Sequence, residues 1–192
     1  MQMKSLSFCF AVVLAAAIPL LANTGRASVT RYQLAFGSAA SPAGFTHVEP
    51  TDEYNSERGY GFEPGAKGLL STENRFLTSK GPFYFSVAVP PGNYKVTVTL
   101  GDPAGESDTT VKAELRRLML ENVRTAKGEI VKRSFIVNVR VPEYPGGKVH
   151  LKVPRETVGE AWAWDDKLTL EINGKRPCID TLEVAPVDVP TV

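Results

Sequence analysis

Apolar and polar side chains alternate along much of this chain, and alternation at period two marks a strand with one buried face. The pattern is cleanest from Phe83 to Leu100. Phe85, Val87 and Val89 fall on one face and Tyr84, Ser86 and Ala88 on the other. After a break, Tyr94, Val96, Val98 and Leu100 alternate with Lys95, Thr97 and Thr99. Pro91-Gly92 suits the centre of a type II turn, since Pro presets φ and Gly accepts φ > 0. The expectation is a hairpin, with Phe83–Val89 paired to Tyr94–Leu100.

Other segments repeat the pattern. Val29–Phe36 reads as a strand ended by Gly37. Gly37–Gly68 is polar, aromatic and rich in turn residues, and a connection of that length is usually functional or built from short strand pieces. Leu69–Leu77 carries a short turn or strand. In Thr110–Val123, Val111, Ala113 and Leu115 alternate like a strand, whereas Leu115, Leu118, Met119 and Val123 fall at helical spacing in a segment of high helix propensity. With strands on both sides, two strand segments with an irregularity near Arg116-Arg117 are expected; a helix is the alternative. Ile130–Val141, Lys148–Val153, Lys167–Ile172 and Ile179–Val184 complete the series, the last two joined by a turn at Asn173-Gly174. Short strands at regular spacing with Gly/Pro turns imply an all-β fold, an antiparallel β-sandwich.

Composition adds the compartment. At 192 residues with 43% hydrophobic side chains, the chain has one domain's length and an ample core. Lys4, the apolar run Leu6–Leu21 and the small residues around Gly25-Arg26-Ala27 form a secretory signal peptide cleaved after Ala27. The run is short for a membrane span. The expected organisation is a signal peptide over 1–27, a sandwich over 28–185 and a proline-bearing linker over 186–192, in a secreted or periplasmic protein. Loss of Lys4 and Arg26 leaves 20 basic against 21 acidic side chains. That balance offers no electrostatic argument for nucleic acid, or for a membrane once the signal is removed. Of the two cysteines only Cys178 lies beyond the signal, so no intramolecular disulfide is expected and the core must hold the fold.

Candidate chemistry is sparse. Nucleophilic catalysis needs an activated hydroxyl and a base. The histidines are His47, in the long loop, and His150, in an alternating strand with a structural role. No G-x-S-x-G elbow is present, and in Gly101-Asp102-Pro103 a proline stands where a Gly-Asp-Ser esterase opening needs serine. A hydrolase using His47 is an alternative whose test is loss of activity in His47→Ala. Zinc-type Cys/His spacing is absent. Glu49, Asp52, Glu53, Asp165, Asp166 and Asp180 offer oxygen ligands that suit a structural Ca²⁺, although solvated loop charges are the plainer reading. Aromatics point elsewhere: sugar C–H faces pack on rings while their hydroxyls need fixed polar partners. Trp162 and Trp164, two apart, share a face if they lie on a strand, and Asp165 follows. Tyr54, Arg58, Tyr60 and Glu63 form a second aromatic and polar cluster. Trp164 and Phe62 read better as core.

GYGFEPG (Gly59–Gly65), PPGNYKVTVTLGDP (Pro90–Pro103), AELRRLMLENV (Ala113–Val123), RSFIVNVR (Arg133–Arg140) and WDDKLTLEINGKRPCIDTLEV (Trp164–Val184) together resemble the N-terminal jelly-roll domain of bacterial rhamnogalacturonan acetylesterases. These are secreted SGNH-type esterases acting on pectin. The resemblance covers about Tyr32 to Val192 and implies a galactose-binding-like jelly roll. It also implies strands at Thr110–Val123, pectin as a partner, and a linked esterase catalytic domain that this sequence lacks. No catalytic residue is carried over. The resulting expectation is a non-catalytic, carbohydrate-binding accessory domain using Tyr54, Arg58, Tyr60, Glu63, Trp162 and Asp165. The alternative is a domain that packs on an esterase domain and holds no sugar.

Overall fold

The computed structural model describes residues 31–37, 40–66, 70–73 and 76–190. The expected signal peptide, and the start of the first strand at Val29, lie outside these residues. Fourteen strands follow in order: β1 Tyr32–Phe36, β2 Thr46–Val48, β3 Tyr60–Phe62, β4 Leu70–Glu73, β5 Phe76–Ser79, β6 Phe83–Ala88, β7 Gly92–Gly101, β8 Ser107–Ala113, β9 Arg117–Thr125, β10 Ile130–Val139, β11 Glu143–Tyr144, β12 Gly147–Lys148, β13 Lys167–Arg176 and β14 Cys178–Pro186. One sheet has the order β10-β7-β14-β1-β2, with β5 also on β14 and β4 on β5. The other is β3-β6-β13-β8-β9. Pairing is antiparallel except between β1 and β2.

The inward faces of the two sheets carry the alternating apolar sets. Phe83, Phe85 and Val87 of β6 lie in register with Ile172, Leu170 and Leu168 of β13. From the other sheet, Tyr94, Val96, Val98 and Leu100 of β7 and Leu182 and Val184 of β14 join the same buried core. Phe85 meets Phe36 of β1 at 5.2 Å and Phe62 of β3 at 5.0 Å between ring centroids, so aromatic contacts bridge the layers.

The expected hairpin does not form. β6 pairs with β3 and β13, and β7 pairs with β10 and β14, in opposite sheets. Pro90 and Pro91 carry no N–H to donate to a ladder and hold φ extended, so the connection crosses between layers. Tyr94 Oη donates to Pro90 O at 2.7 Å and pins the crossing. The joint between β13 and β14 behaves likewise. The two strands lie in different sheets, the change of sheet falls at Pro177, and Asn173-Gly174 is a bulge of β13 against β8. Lys148–Val153 is not a strand. Only Gly147–Lys148 pairs, with Glu143–Tyr144, and Val149 and Val153 find no sheet to pack on. His150 is therefore an exposed loop residue.

Other expectations match the fold. Thr110–Val123 is two paired strands interrupted at residues 114–116, where Glu114 and Leu115 take φ of +49° and +74°. The helical spacing of its leucines is overridden by the pairing of β9 with β8, and of β8 with β13. The long loop after β1 contains β2, β3 and isolated bridges Glu53–Phe62 and Asn55–Tyr60. The tail is fastened: Val187 N–H donates to Asn93 O at 2.9 Å, and Asn93 Nδ2 donates to Val189 O at 2.7 Å.

Candidate functional site

A cleft of about 330 Å³ opens where β1 outruns β2. Pairing between them begins only at Leu34–Thr46, so the stretch Arg31–Gln33 has an edge that β2 does not cover. Arg31, Tyr32, Gln33, Leu34, Gly44, Thr46, Arg58 and Tyr60 line the cleft. The loop before β3 sets its far wall. Asn55 Oδ1 accepts the Glu57 N–H at 2.8 Å, and Gly59 N–H donates to Asn55 O at 2.7 Å, closing a tight turn. Gly59 has φ +77°, and a Cβ there would sit 2.7 Å from Tyr32 Oη. Glycine is thus required for Tyr32 to pass and donate to Ala88 O at 2.9 Å. Arg58 is held on one side. Its Nη1 donates to Asp52 Oδ1 at 3.0 Å, its Nε to Tyr60 O at 3.2 Å, and its Nη2 to Glu53 O. Its guanidinium lies 5.1 Å from the Tyr60 ring centroid, and Tyr60 meets Tyr32 edge-on at 6.3 Å.

A second constellation crosses the outer face of the β3-β6-β13-β8-β9 sheet. Lys167 Nζ donates to Glu63 Oε1 at 2.7 Å, lies 3.9 Å from Asp165 Oδ2 and sits 4.6 Å from the Tyr54 ring centroid. Ser86 Oγ donates to Glu63 Oε1 at 2.7 Å and lies 2.8 Å from Thr169 Oγ1. The Thr169 N–H donates to Glu114 Oε1 at 3.1 Å. Gly61, beside Ser86 in the ladder, has no Cβ to collide with the Tyr54 backbone, 2.5 Å from where one would stand. Glu114 is 3% exposed, and its Oε2 accepts no hydrogen bond, with Arg117 Nη2 3.8 Å away. Burial pushes the Glu114 carboxyl up to about 7, against the Thr169 N–H and Arg117, which favour the anion. Burial also raises Asp165, opposed by the Lys167 N–H and ammonium.

Residues 32–126 match the family described as Beta-agarase/YXIM esterase-like, galactose-binding domain-like. Over that stretch the sandwich is similar to the galactose-binding-like domains of the YxiM esterase and beta-agarase type. It is 30% identical over 115 residues to the uncharacterized esterase YxiM of Bacillus subtilis (strain 168), covering 54% of this chain and 30% of that protein. It is 28% identical over 163 residues to beta-agarase A of Zobellia galactanivorans, covering 77% of this chain and 29% of that protein. The crystal structure of YxiM from Bacillus subtilis superposes with a TM-score of 0.52 at 20% identity, over 82% of this chain and 40% of that one. The chain therefore spans about a third of the curated relatives it matches.

In this sandwich the six residues expected to act together are divided. Arg58 and Tyr60 line the cleft. Tyr54, Glu63 and Asp165 gather around Lys167, and Trp162 packs edge-on against the neighbouring Tyr84 at 4.8 Å. Trp162 and Trp164 do not share a strand face. They lie at a single 3₁₀ turn, Ala161–Ala163, and Trp164 goes instead under the Arg140 guanidinium, 4.4 Å from its ring centroid. Phe62 is core, as expected, while Trp164 is only half-buried. Sequence reasoning missed Arg31, Gln33 and Thr46, whose placement depends on where β2 begins. It also missed Lys167, Ser86 and Thr169, which become neighbours only once β6 and β13 are paired.

His47 Nε2 lies 2.9 Å from Glu49 Oε1, and Ser41 Oγ lies 3.4 Å from His47 Nδ1. The serine contact is long and the Glu49 side chain is 61% exposed, so the three form a solvated surface chain rather than a dry catalytic one. Gly101-Asp102-Pro103 is structural. Burial works to raise Asp102, but the Ala104 N–H at 2.7 Å and Arg176 Nη2 at 2.5 Å hold its carboxyl below the usual range. No three His, Cys, Asp or Glu side chains among the described residues converge to share a metal ion.

Proposed function

We propose that this chain is a secreted, non-catalytic accessory domain that binds cell-wall polysaccharide, with pectin of the rhamnogalacturonan type as the candidate ligand. The observation that carries the reading is the cleft between β1–β2 and β3. Tyr60 and Tyr32 supply aromatic wall there, and the Gln33, Thr46 and Arg31 side chains make no hydrogen bond within the described residues, so they are available to sugar hydroxyls. The likeness to domains of an esterase and a beta-agarase supports a glycan over other ligands. The apolar run Leu6–Leu21 behind Lys4 supports export. Binding here leaves catalysis to a linked domain of the kind that the greater length of the relatives accommodates. Titration calorimetry against rhamnogalacturonan fragments and agar-derived galactans tests the reading. Saturable heat lost in Tyr60→Ala supports it; no heat with any glycan from a folded sample overturns it.

A second reading is a packing role. The excursion after β10 leaves Tyr144, Val153 and Val158 exposed, the last two at 77% and 74%. It departs from the strand end where Asn138 holds Asn93, and through Asn93 the tail at 187–189. Exposed apolar side chains on an excursion of this length suit a covalently linked neighbour. If Val153→Asp and Val158→Asp leave association with an esterase domain unchanged, the reading fails.

A further inference from the structure

We infer that the β1–β3 cleft takes a sugar residue bearing an anionic group, a carboxylate or a sulfate ester, and that Arg31 is its principal charged contact. The inference rests on the glycan-binding reading and names the ligand class of the same cleft. Two guanidinium groups line the cleft and no carboxylate does. Two neighbouring acids are already paired with other cations. Asp52 is bound to Arg58 at 3.0 Å, and Glu183, which faces Gln33 across the β1–β14 ladder, is bound to Lys132 at 3.0 Å. Asp52 balances the charge of Arg58, so the unbalanced positive charge of the cleft resides on Arg31. Arg31 has no hydrogen bond or ion pair among the described residues.

The two arginines have different tasks. Three anchors, on Asp52, Glu53 and Tyr60, fix the Arg58 plane and leave its remaining N–H groups as preorganised donors. Arg31 is exposed and carries the charge. A guanidinium presents paired N–H donors that match two oxygens of a carboxylate or sulfate. Gln33 and Thr46 add neutral donors and acceptors for ring hydroxyls. The chain as a whole has a formal net charge of only +1, so the cationic character is local to the cleft and not a property of the entire surface.

The test compares four polymers against the full chain by calorimetry at two salt concentrations. These are polygalacturonate, the same polymer fully methyl-esterified, a sulfated galactan, and that galactan desulfated. Binding to polygalacturonate, to sulfated galactan or to both is expected, with the esterified and desulfated forms at least roughly tenfold weaker. Which acid binds identifies the source of the anion. Arg31→Gln lowers affinity for the acidic polymer by roughly ten- to a hundredfold and flattens its salt dependence, with an unchanged circular dichroism spectrum. Arg58→Gln has a similar effect on affinity but risks loosening the loop, so Arg31→Gln is the deciding variant. Equal binding of neutral and acidic forms overturns the anionic specificity and leaves the glycan reading intact. Acidic binding that survives Arg31→Gln overturns the assignment to this cleft. Failure to bind any of the four polymers removes the glycan reading itself.

Discussion

Glu114 couples the fold to pH. Its carboxyl, buried beside Thr169, titrates near 7 because burial disfavours the anion more than Thr169 N–H and Arg117 favour it. A carboxyl whose folded pKa lies above its unfolded value binds protons more tightly in the native state. Stability is then full below the unfolded value, about 4.5, and is lost as pH climbs to about 7. The loss is about 3 kcal/mol at neutral pH. The raised Asp165 adds in the same direction. Denaturant unfolding followed at pH 5 and pH 8 should show the wild type weaker at pH 8. Glu114→Gln, which keeps an acceptor for Thr169, should remove most of that difference; an undiminished difference would assign it to other groups. Gly59 gives a second residue-scale expectation. Gly59→Ala forces φ +77° on a residue with a Cβ and drives it onto Tyr32, costing about 1–3 kcal/mol by thermal or chemical unfolding.

Among the elements, β6 and β13 carry a polar row on one face and core on the other. Lys167 and Glu63 face each other on that row with 17% and 7% side-chain exposure. Lys167→Met strands the Glu63 carboxylate beside Ser86. The expected loss is roughly 2–3 kcal/mol, discounted for the exposure that Lys167 retains. Adding Glu63→Gln should recover part of the loss, and a double mutant as unstable as the single would show that the pair is not coupled. The 154–166 segment separates the aromatic candidates. Trp162 buttresses Tyr84 and lies outside the cleft lining. Trp162→Ala should speed amide exchange in 154–166 and leave glycan affinity unchanged, whereas Tyr60→Ala should lower affinity. The reverse result in paired titrations would move the site to the outer face of the sheet.

For the whole molecule, stability resides where the two sheets meet, since Cys178 is the one cysteine among the described residues and is buried there in no disulfide. Phe85 touches Phe36 and Phe62 and belongs to the fully buried core. Phe85→Ala should cost about 3–5 kcal/mol through lost transfer energy and a cavity spanning both layers. A change below 1 kcal/mol in equilibrium unfolding would mean the layers are not held together there. The open side of the same sandwich is where β2 begins short of the start of β1, and it leaves the cleft.

The fold class was legible because the strand repeat is local. Which face of β6, β7, β13 and β14 goes inward follows from alternation, and every inward residue named from it is core. The interruption between β8 and β9 was legible too, since strands on either side outweigh helical spacing over a few leucines. Partnership was not. Turn residues announced hairpins at Pro91-Gly92 and Asn173-Gly174, yet both strand pairs separate into opposite sheets, because each strand has one apolar face to bury and the layers need one of each. The candidate site divided for the same reason. Residue types at Tyr54, Arg58, Tyr60, Glu63, Trp162 and Asp165 could be picked out as suited to sugar. Their grouping depends on contacts across 104 residues, such as Glu63 with Lys167, and on where a three-residue strand begins. Periodicity sets what each segment buries; only the packing of sheet on sheet decides which surfaces are left open beside one another.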